Sequence, residues 1–291
     1  MQKVITFAAA RTGSTFLHGH FAKIPNYSYN SMEFFNAWVP SLYCSVDEIY
    51  IKNNLPIPPI FQTYFDKSFR RIMNRLWTRE SAFKDRVDRD SFMGEVSPYH
   101  CDMLQTFANT LEQLNHQYFF SKIIFQTVCK PKWLPEIVQY ADKIIVNYRS
   151  SLMDTYISHK RAKLHNIWNI NKNSNPNGYD PKYDDDKVIW ETEEFVKHCT
   201  VYSNYYKNLL NQLNKQNKKY QTVCYEELCE TPDKQKYLSD KLNIDTKAII
   251  ETPFIKQSQK LEKHSDAFSN PEQFLTEYNM LDSKFTDDYH I

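Results

Sequence analysis

The chain has 291 residues, which suits one large domain or one domain with a small attachment. Its 36 basic and 35 acidic side chains nearly cancel, and the short cluster Lys215, Lys218 and Lys219 is interrupted by polar residues, so the basic excess of a nucleic-acid binder is missing. Hydrophobic residues at 41% supply a sizeable core, yet no run approaches the ~18 apolar residues of a membrane-spanning helix.

In chain order, residues 4–10 are apolar and β-prone and end in three alanines. Residues 13–23 read as a helix, with Phe16, Leu17 and Phe21 at helical spacing. Residues 118–128 form a buried strand region and 131–140 a short helix. Residues 143–148 are a second buried strand, followed by a helix over 151–164 with Ser151 as its cap and Asp154 in its first turns. The polar stretch 169–186 is a loop. Residues 187–216 carry the helical stripe Ile189, Phe195, Val196, Cys199, Tyr202, Tyr205 and Leu209, which reads as core packing. A strand over 220–225 and a helix over 226–242 follow, and the last ~50 residues show little periodicity. Strands alternating with helices imply an α/β fold, a single domain over 1–291 with a central parallel sheet flanked by helices.

The six cysteines include no C-x-x-C pair and no Cys/His spacing of a zinc site. They read as free thiols in a reducing compartment, and the chain begins on a strand-like run without a signal peptide, so a cytoplasmic location is expected.

Only four glycines occur, where an average chain of this length carries roughly 20. Scarcity draws attention to Gly13 and Gly94. Gly13 sits where a strand turns into a helix, an arrangement that points unpaired N–H groups at an anion. Against the nucleotide loop G-x-x-x-x-G-K-[ST], Ala8 takes the first glycine position, Ser14 the lysine position and Thr15 the final hydroxyl. The cradle layout is present without the lysine that reaches β/γ-phosphates. Arg11 supplies cationic charge within the loop.

The segment Arg11-Thr12-Gly13-Ser14-Thr15-Phe16-Leu17 resembles the 5′-phosphosulfate loop of sulfotransferases, R/K-S/T-G-S/T-T followed by an apolar pair. Four further segments resemble the family in order. Arg149 ends a strand and Ser158 follows on a helix, as in the 3′-phosphate motif. Gly94-Glu95-Val96-Ser97-Pro98-Tyr99 is similar to G-E-K-[ST]-P-x-Y, with Val96 in place of the lysine. Tyr225-Glu226-Glu227-Leu228 is similar to Y-E-[DE]-L, and Lys256-Gln257-Ser258 to the loop that closes over the 3′-phosphate. The resemblance spans roughly residues 3 to 275 and implies a P-loop-NTPase-like sulfotransferase fold. It also implies the co-substrate 3′-phosphoadenosine-5′-phosphosulfate (PAPS), a small-molecule or glycan acceptor, and chemistry without a metal.

By resemblance, Arg11 contacts the transferred group, and Thr12, Gly13, Ser14, Thr15 and Phe16 form the 5′ site. Arg149, Ser158, Lys256, Gln257 and Ser258 hold the 3′-phosphate, and Tyr225 contacts adenine. A strand-end arginine in a surface ion pair is the plainer alternative for Arg149. With Val96 at the lysine position, Lys122 is the candidate second cation. No histidine lies at 122–128, which leaves the glutamate-base form, and Met32-Glu33-Phe34-Phe35-Asn36 matches it. Partial desolvation by Phe34, Phe35 and Trp38 would raise the basicity of Glu33. Glu95 and His100 are the other candidate bases, while His18 and His20 suit core or surface roles. A P-loop kinase or NTPase, and a non-catalytic nucleotide-binding relative, remain as alternatives.

Overall fold

The computed structural model describes residues 1–31, 41–62, 100–124, 134–165, 186–251, 264–286, 289 and 291. Glu33, Glu95, Lys256, Gln257 and Ser258, the strand continuation 125–128 and most of the polar loop 169–186 lie outside the described residues.

The fold is α/β, a five-stranded parallel sheet flanked by helices. The strands are β1 (Gln2–Ala8), β2 (Ser28–Asn30), β3 (Tyr118–Ile124), β4 (Lys143–Tyr148) and β5 (Gln221–Cys224). Their order across the sheet is β2-β3-β1-β4-β5. Every residue of β1 from Val4 to Ala8 has zero exposure, the mark of a strand covered on both faces. β4 pairs in parallel with β5, from Ile145 opposite Gln221 to Tyr148 opposite Cys224.

The helices are α1 (Ser14–Gly19), α2 (Ser41–Val46), α3 (His100–Gln113), α4 (Leu134–Tyr140), α5 (Leu152–His165), α6 (Thr192–Lys215), α7 (Tyr225–Glu230), α8 (Lys234–Leu242), α9 (Pro271–Tyr278) and α10 (Ser283–Thr286). None among the described residues is long and apolar enough to cross a membrane.

Contacts gather into two compact units. One comprises Met1–Ile5 and Lys23–Lys143. Phe107 of α3 anchors its core, 5.7 Å from Phe119 and 5.5 Å from Tyr29 between ring centroids. The other comprises Thr6–Ala22 and Ile144–Ile291 and holds the β1–α1 loop. Here α6 buries Phe195, Cys199, Tyr202, Tyr205, Tyr206, Leu209 and Leu213 along one stripe. Trp190, almost fully buried, packs against Phe195 and Phe274. Full burial of side chains this size contributes roughly 1.5–3 kcal/mol each.

Three boundaries differ from the sequence expectation for physical reasons. Helix α6 starts at Thr192 rather than near residue 187, because Val188 N–H donates to Ala267 C=O and Val188 C=O accepts from Ser269 N–H. Helix α1 stops at Gly19 rather than near residue 23 because the next backbone groups pair elsewhere. Ala22 N–H donates to Ala248 C=O, and Ile250 N–H donates to His20 C=O. The expected helix over 226–242 is two helices, α7 and α8. Pro232 disfavours helical geometry at Thr231, and the Asp233 carboxylate then caps α8 by accepting from Lys236 N–H at 2.9 Å. Strand β2 and helices α2, α3, α9 and α10 are additions to the sequence-based outline.

Candidate functional site

Parallel strands put the loops after β1, β4 and β5 at the same edge of the sheet. Those loops begin the stretches that carry Arg11 to Gly13, Arg149 and Tyr225, all within the second unit. The β1–α1 loop has Arg11 at φ 69° and Gly13 at φ 71°, both left-handed, with Thr12 between them outside that region. Such alternation turns successive N–H groups toward one concavity, the geometry of an anion nest. Ser14 begins α1 almost fully buried, and Leu17 N–H closes the first turn on Gly13 C=O at 2.9 Å.

Gly13 is held to glycine by a second constraint. A Cβ at this position would lie 1.9 Å from Tyr225 Cδ2 and 2.4 Å from Cε2. The Tyr225 ring therefore rests directly on the loop. Phe16 meets the ring edge-on at 5.9 Å, and the Arg149 guanidinium stacks on it at 4.9 Å.

Two tyrosines of α6 set the frame. Tyr206 Oη accepts from Ala9 N–H at 3.1 Å and donates to Asn147 C=O at 2.6 Å, so it joins the end of β1 to the end of β4. Tyr202 Oη accepts from Arg149 N–H at 2.8 Å and donates to Arg149 C=O at 3.0 Å. Burial raises the pKa of both phenols, which stay protonated and able to donate. Thr12 is fully buried, its Oγ1 directed to Ala9 C=O at 2.9 Å and Asn147 Oδ1 at 3.2 Å. Its hydroxyl braces the loop from beneath. Asn147 Nδ2 carries the bracing to β5 by donating to Val223 C=O at 3.1 Å.

Arg149 follows β4 and is almost fully buried. Its Nε donates to Glu226 Oε1 at 2.9 Å and its Nη2 to Asp154 Oδ2 at 3.0 Å. Glu226 Oε2 also accepts from Ser150 N–H at 3.0 Å, and Asp154 Oδ1 lies 3.1 Å from His264 Nε2. Burial opposes the guanidinium charge, but Asp154 and Glu226 beside it raise its pKa above the ordinary value. Burial likewise opposes the charge of Asp154, while His264 and Arg149 hold its carboxyl below the ordinary range.

Ser158 on α5 meets Arg11. Its Oγ accepts from Arg11 Nε at 3.0 Å and from Nη2 at 2.8 Å. The sequence pairs Ser158 with Arg149 by resemblance, whereas in the structure its hydroxyl serves the loop arginine. The next residue, His159, faces His198 of α6 with ring centroids 5.7 Å apart, and His198 Nε2 lies 2.8 Å from Thr155 Oγ1. Burial, then the cations Lys163 and Arg11, push His159 down to about 4. Burial, then His159 and Lys163, do the same to His198. Both imidazoles are neutral near pH 7.

The structure thus gathers Arg11, Thr12, Gly13, Ser14, Thr15, Phe16, Arg149, Ser158 and Tyr225 in one unit. Lys122 lies buried on β3 in the other unit, and His100 starts α3 there. Asp154, Glu226, Tyr202 and Tyr206 also belong to the framework. Sequence signals are present for Asp154 in a helix's first turn, Glu226 in a Tyr-Glu-Glu-Leu segment and Tyr202 in a core stripe, but do not mark them as partners of Arg149; Tyr206 lies outside the stripe read from the sequence. Among the described residues no group of three or more His, Cys, Asp or Glu could hold a metal ion.

No protein-family model matches the chain, and no curated protein matches it. Among solved structures it is similar to the sulfotransferase domain from the Synechococcus PCC 7002 olefin synthase. That likeness has 13% identity, covers 97% of this chain and 95% of that chain, and has a TM-score of 0.42.

Proposed function

We propose that the protein is a sulfotransferase that moves a sulfuryl group from PAPS to an acceptor hydroxyl or amine. The observation that carries this is the β1–α1 loop. It follows a central strand buried from Val4 to Ala8, carries left-handed Arg11 and Gly13, and has Ser14 where a kinase has lysine. A concave run of N–H groups with an arginine, and no lysine for a β/γ-phosphate chain, suits a short anionic 5′ group.

In the reaction the acceptor oxygen or nitrogen attacks sulfur, the bond from sulfur to the 5′-phosphate oxygen breaks, and adenosine 3′,5′-bisphosphate leaves. The acceptor proton goes to a carboxylate base, assigned to Glu33. Arg11 neutralises charge on the transferring group, assisted by Lys122, while Ser14, Thr15 and the loop N–H groups take up charge on the leaving phosphate. Like loose phosphoryl transfer, the step depends on positioning and electrostatics more than on covalent help. Arg149 takes the 3′-phosphate, with Tyr225 beside the base and the segment Lys256-Gln257-Ser258 closing over it. A kinase would need a cation at position 14 and an acid ending a strand for Mg²⁺; Ser14 and the run Asn147-Tyr148-Arg149 meet neither need.

Thermal shift separates these chemistries. Adenosine 3′,5′-bisphosphate raises the melting temperature, and ATP with Mg²⁺ does so less or not at all; the reverse order would reject the donor. Sulfuryl transfer from PAPS across phenol, sugar and amine acceptors then distinguishes an enzyme from a nucleotide-binding relative. Glu33→Ala abolishes turnover and leaves bisphosphate binding nearly intact, and near-normal turnover in that variant removes Glu33 from the role.

A further inference from the structure

Arg149 is already engaged by two acids of its own chain. Glu226 from α7 takes the Nε edge at 2.9 Å and Asp154 from α5 takes Nη2 at 3.0 Å, while the Tyr225 ring covers a face at 4.9 Å. One guanidinium against two carboxylates leaves this trio one negative charge in excess. His264 lies beyond, 3.1 Å from the other oxygen of Asp154.

The backbone of residue 149 has holds that do not involve either acid. The Tyr202 hydroxyl grips both its N–H and its C=O, and β4 is paired with β5 up to Tyr148. Glu226 also braces the next residue by accepting from Ser150 N–H at 3.0 Å, while on residue 149 the two acids pair with the side-chain charge. An anion arriving at this guanidinium must displace a carboxylate, which then loses its charged partner, or settle beside it and meet like charge. Either way the internal acids subtract from the affinity of the incoming anion.

Building on the donor assignment above, we infer that Glu226 and Asp154 are affinity-setting residues that weaken the hold of Arg149 on the 3′-phosphate, so that the bisphosphate product is released. Donor and product carry the same 3′-phosphate, so this grip contributes equally to both and nothing to the transfer step. An unopposed buried arginine would retain the product, and its departure would limit turnover. Two built-in competitors keep the grip short of that limit.

Calorimetric titration of wild type, Glu226→Gln and Asp154→Asn with adenosine 3′,5′-bisphosphate and with adenosine 5′-monophosphate tests this. Each variant removes one negative charge at nearly constant shape, and each stands alone should the other fail to fold. Bisphosphate binding tightens about tenfold in each folded variant. Monophosphate binding, which lacks the 3′ group, stays at the wild-type level, and kcat falls as product release slows. Wild-type affinity for bisphosphate combined with unchanged or weaker affinity in the folded variants overturns the inference and leaves the donor assignment standing. Equal tightening for both nucleotides also overturns it, because the effect then bypasses the 3′-phosphate. Absence of bisphosphate binding in wild type and variants alike overturns the donor assignment and the inference with it.

Discussion

At the scale of single residues, Gly13 and Arg149 show two kinds of necessity. Gly13 answers to backbone conformation and to space, with φ 71° and a ring carbon 1.9 Å from where a Cβ would stand. Gly13→Ala therefore combines left-handed strain with an overlap that only movement of Tyr225 could relieve, at a cost of about 3 kcal/mol. A denaturant midpoint within error of wild type would show that the ring yields freely. Arg149 was legible as a strand-end arginine, but its partners were not. Glu226 lies 77 residues further along the chain, and only the pairing of β4 with β5 brings it to the guanidinium. Local sequence shows an acid in a helix's first turn; it carries no record of which cation that acid will face. Tyr206 falls outside the stripe read from the sequence, and the hydroxyl of Tyr202 escaped for another reason. A periodic stripe registers the ring and its burial, and is silent about where the phenol oxygen points.

Among the elements, β1, β4, β5 and α5 follow the patterns that hydrophobic periodicity marks, and α6 follows them at Phe195, Cys199, Tyr202, Tyr205 and Leu209, whereas Ile189, expected in the same core stripe, precedes the helix and is 60% exposed. Their limits moved where backbone partners came from afar, as at α1, or where a proline intervened, as between α7 and α8. Helix α3 carries Met103, Leu104, Phe107, Ala108 and Leu111 at helical spacing, all buried, so its signal was available in the sequence. The packing of α5 on α6 has a consequence for acid stability. His159 and His198 titrate at about 4 in the folded protein, below the ordinary 6.5, so the unfolded chain takes up protons first. Their neutral state favours the fold fully above about 6.5, and that contribution is lost as pH falls from there toward about 4. Melting temperature should decline across this window in wild type and decline less in the His159→Gln, His198→Gln double variant. Parallel profiles for the two proteins would exclude the histidine pair as the cause.

On the scale of the whole molecule, 36 basic and 35 acidic side chains nearly cancel, so the net charge itself gives no long-range attraction for polyanions. On the proposed function, attraction for the nucleotide comes from a few local cations, chiefly Arg11 and Arg149. Fluorescence anisotropy with duplex DNA should show no binding at physiological salt, where counterion release gives little to a protein without a basic face. Saturable binding there would reveal a basic surface that the net charge conceals.

The two tyrosines of α6 also define a length. Residues 202 and 206 are separated by four positions, about 6 Å along a helix. One grips Arg149, and the other grips the start of the β1–α1 loop. The helix is thus a ruler graduated in turns, with the two arms clamped to adjacent marks. Point substitutions around the arms can change how strongly each one pulls, but not how far apart they stand. If the arms hold the two charged groups of the proposed donor, a donor with a different distance between those groups would demand a new mark on the ruler, by insertion or deletion of a helical turn, and single-residue drift cannot supply that.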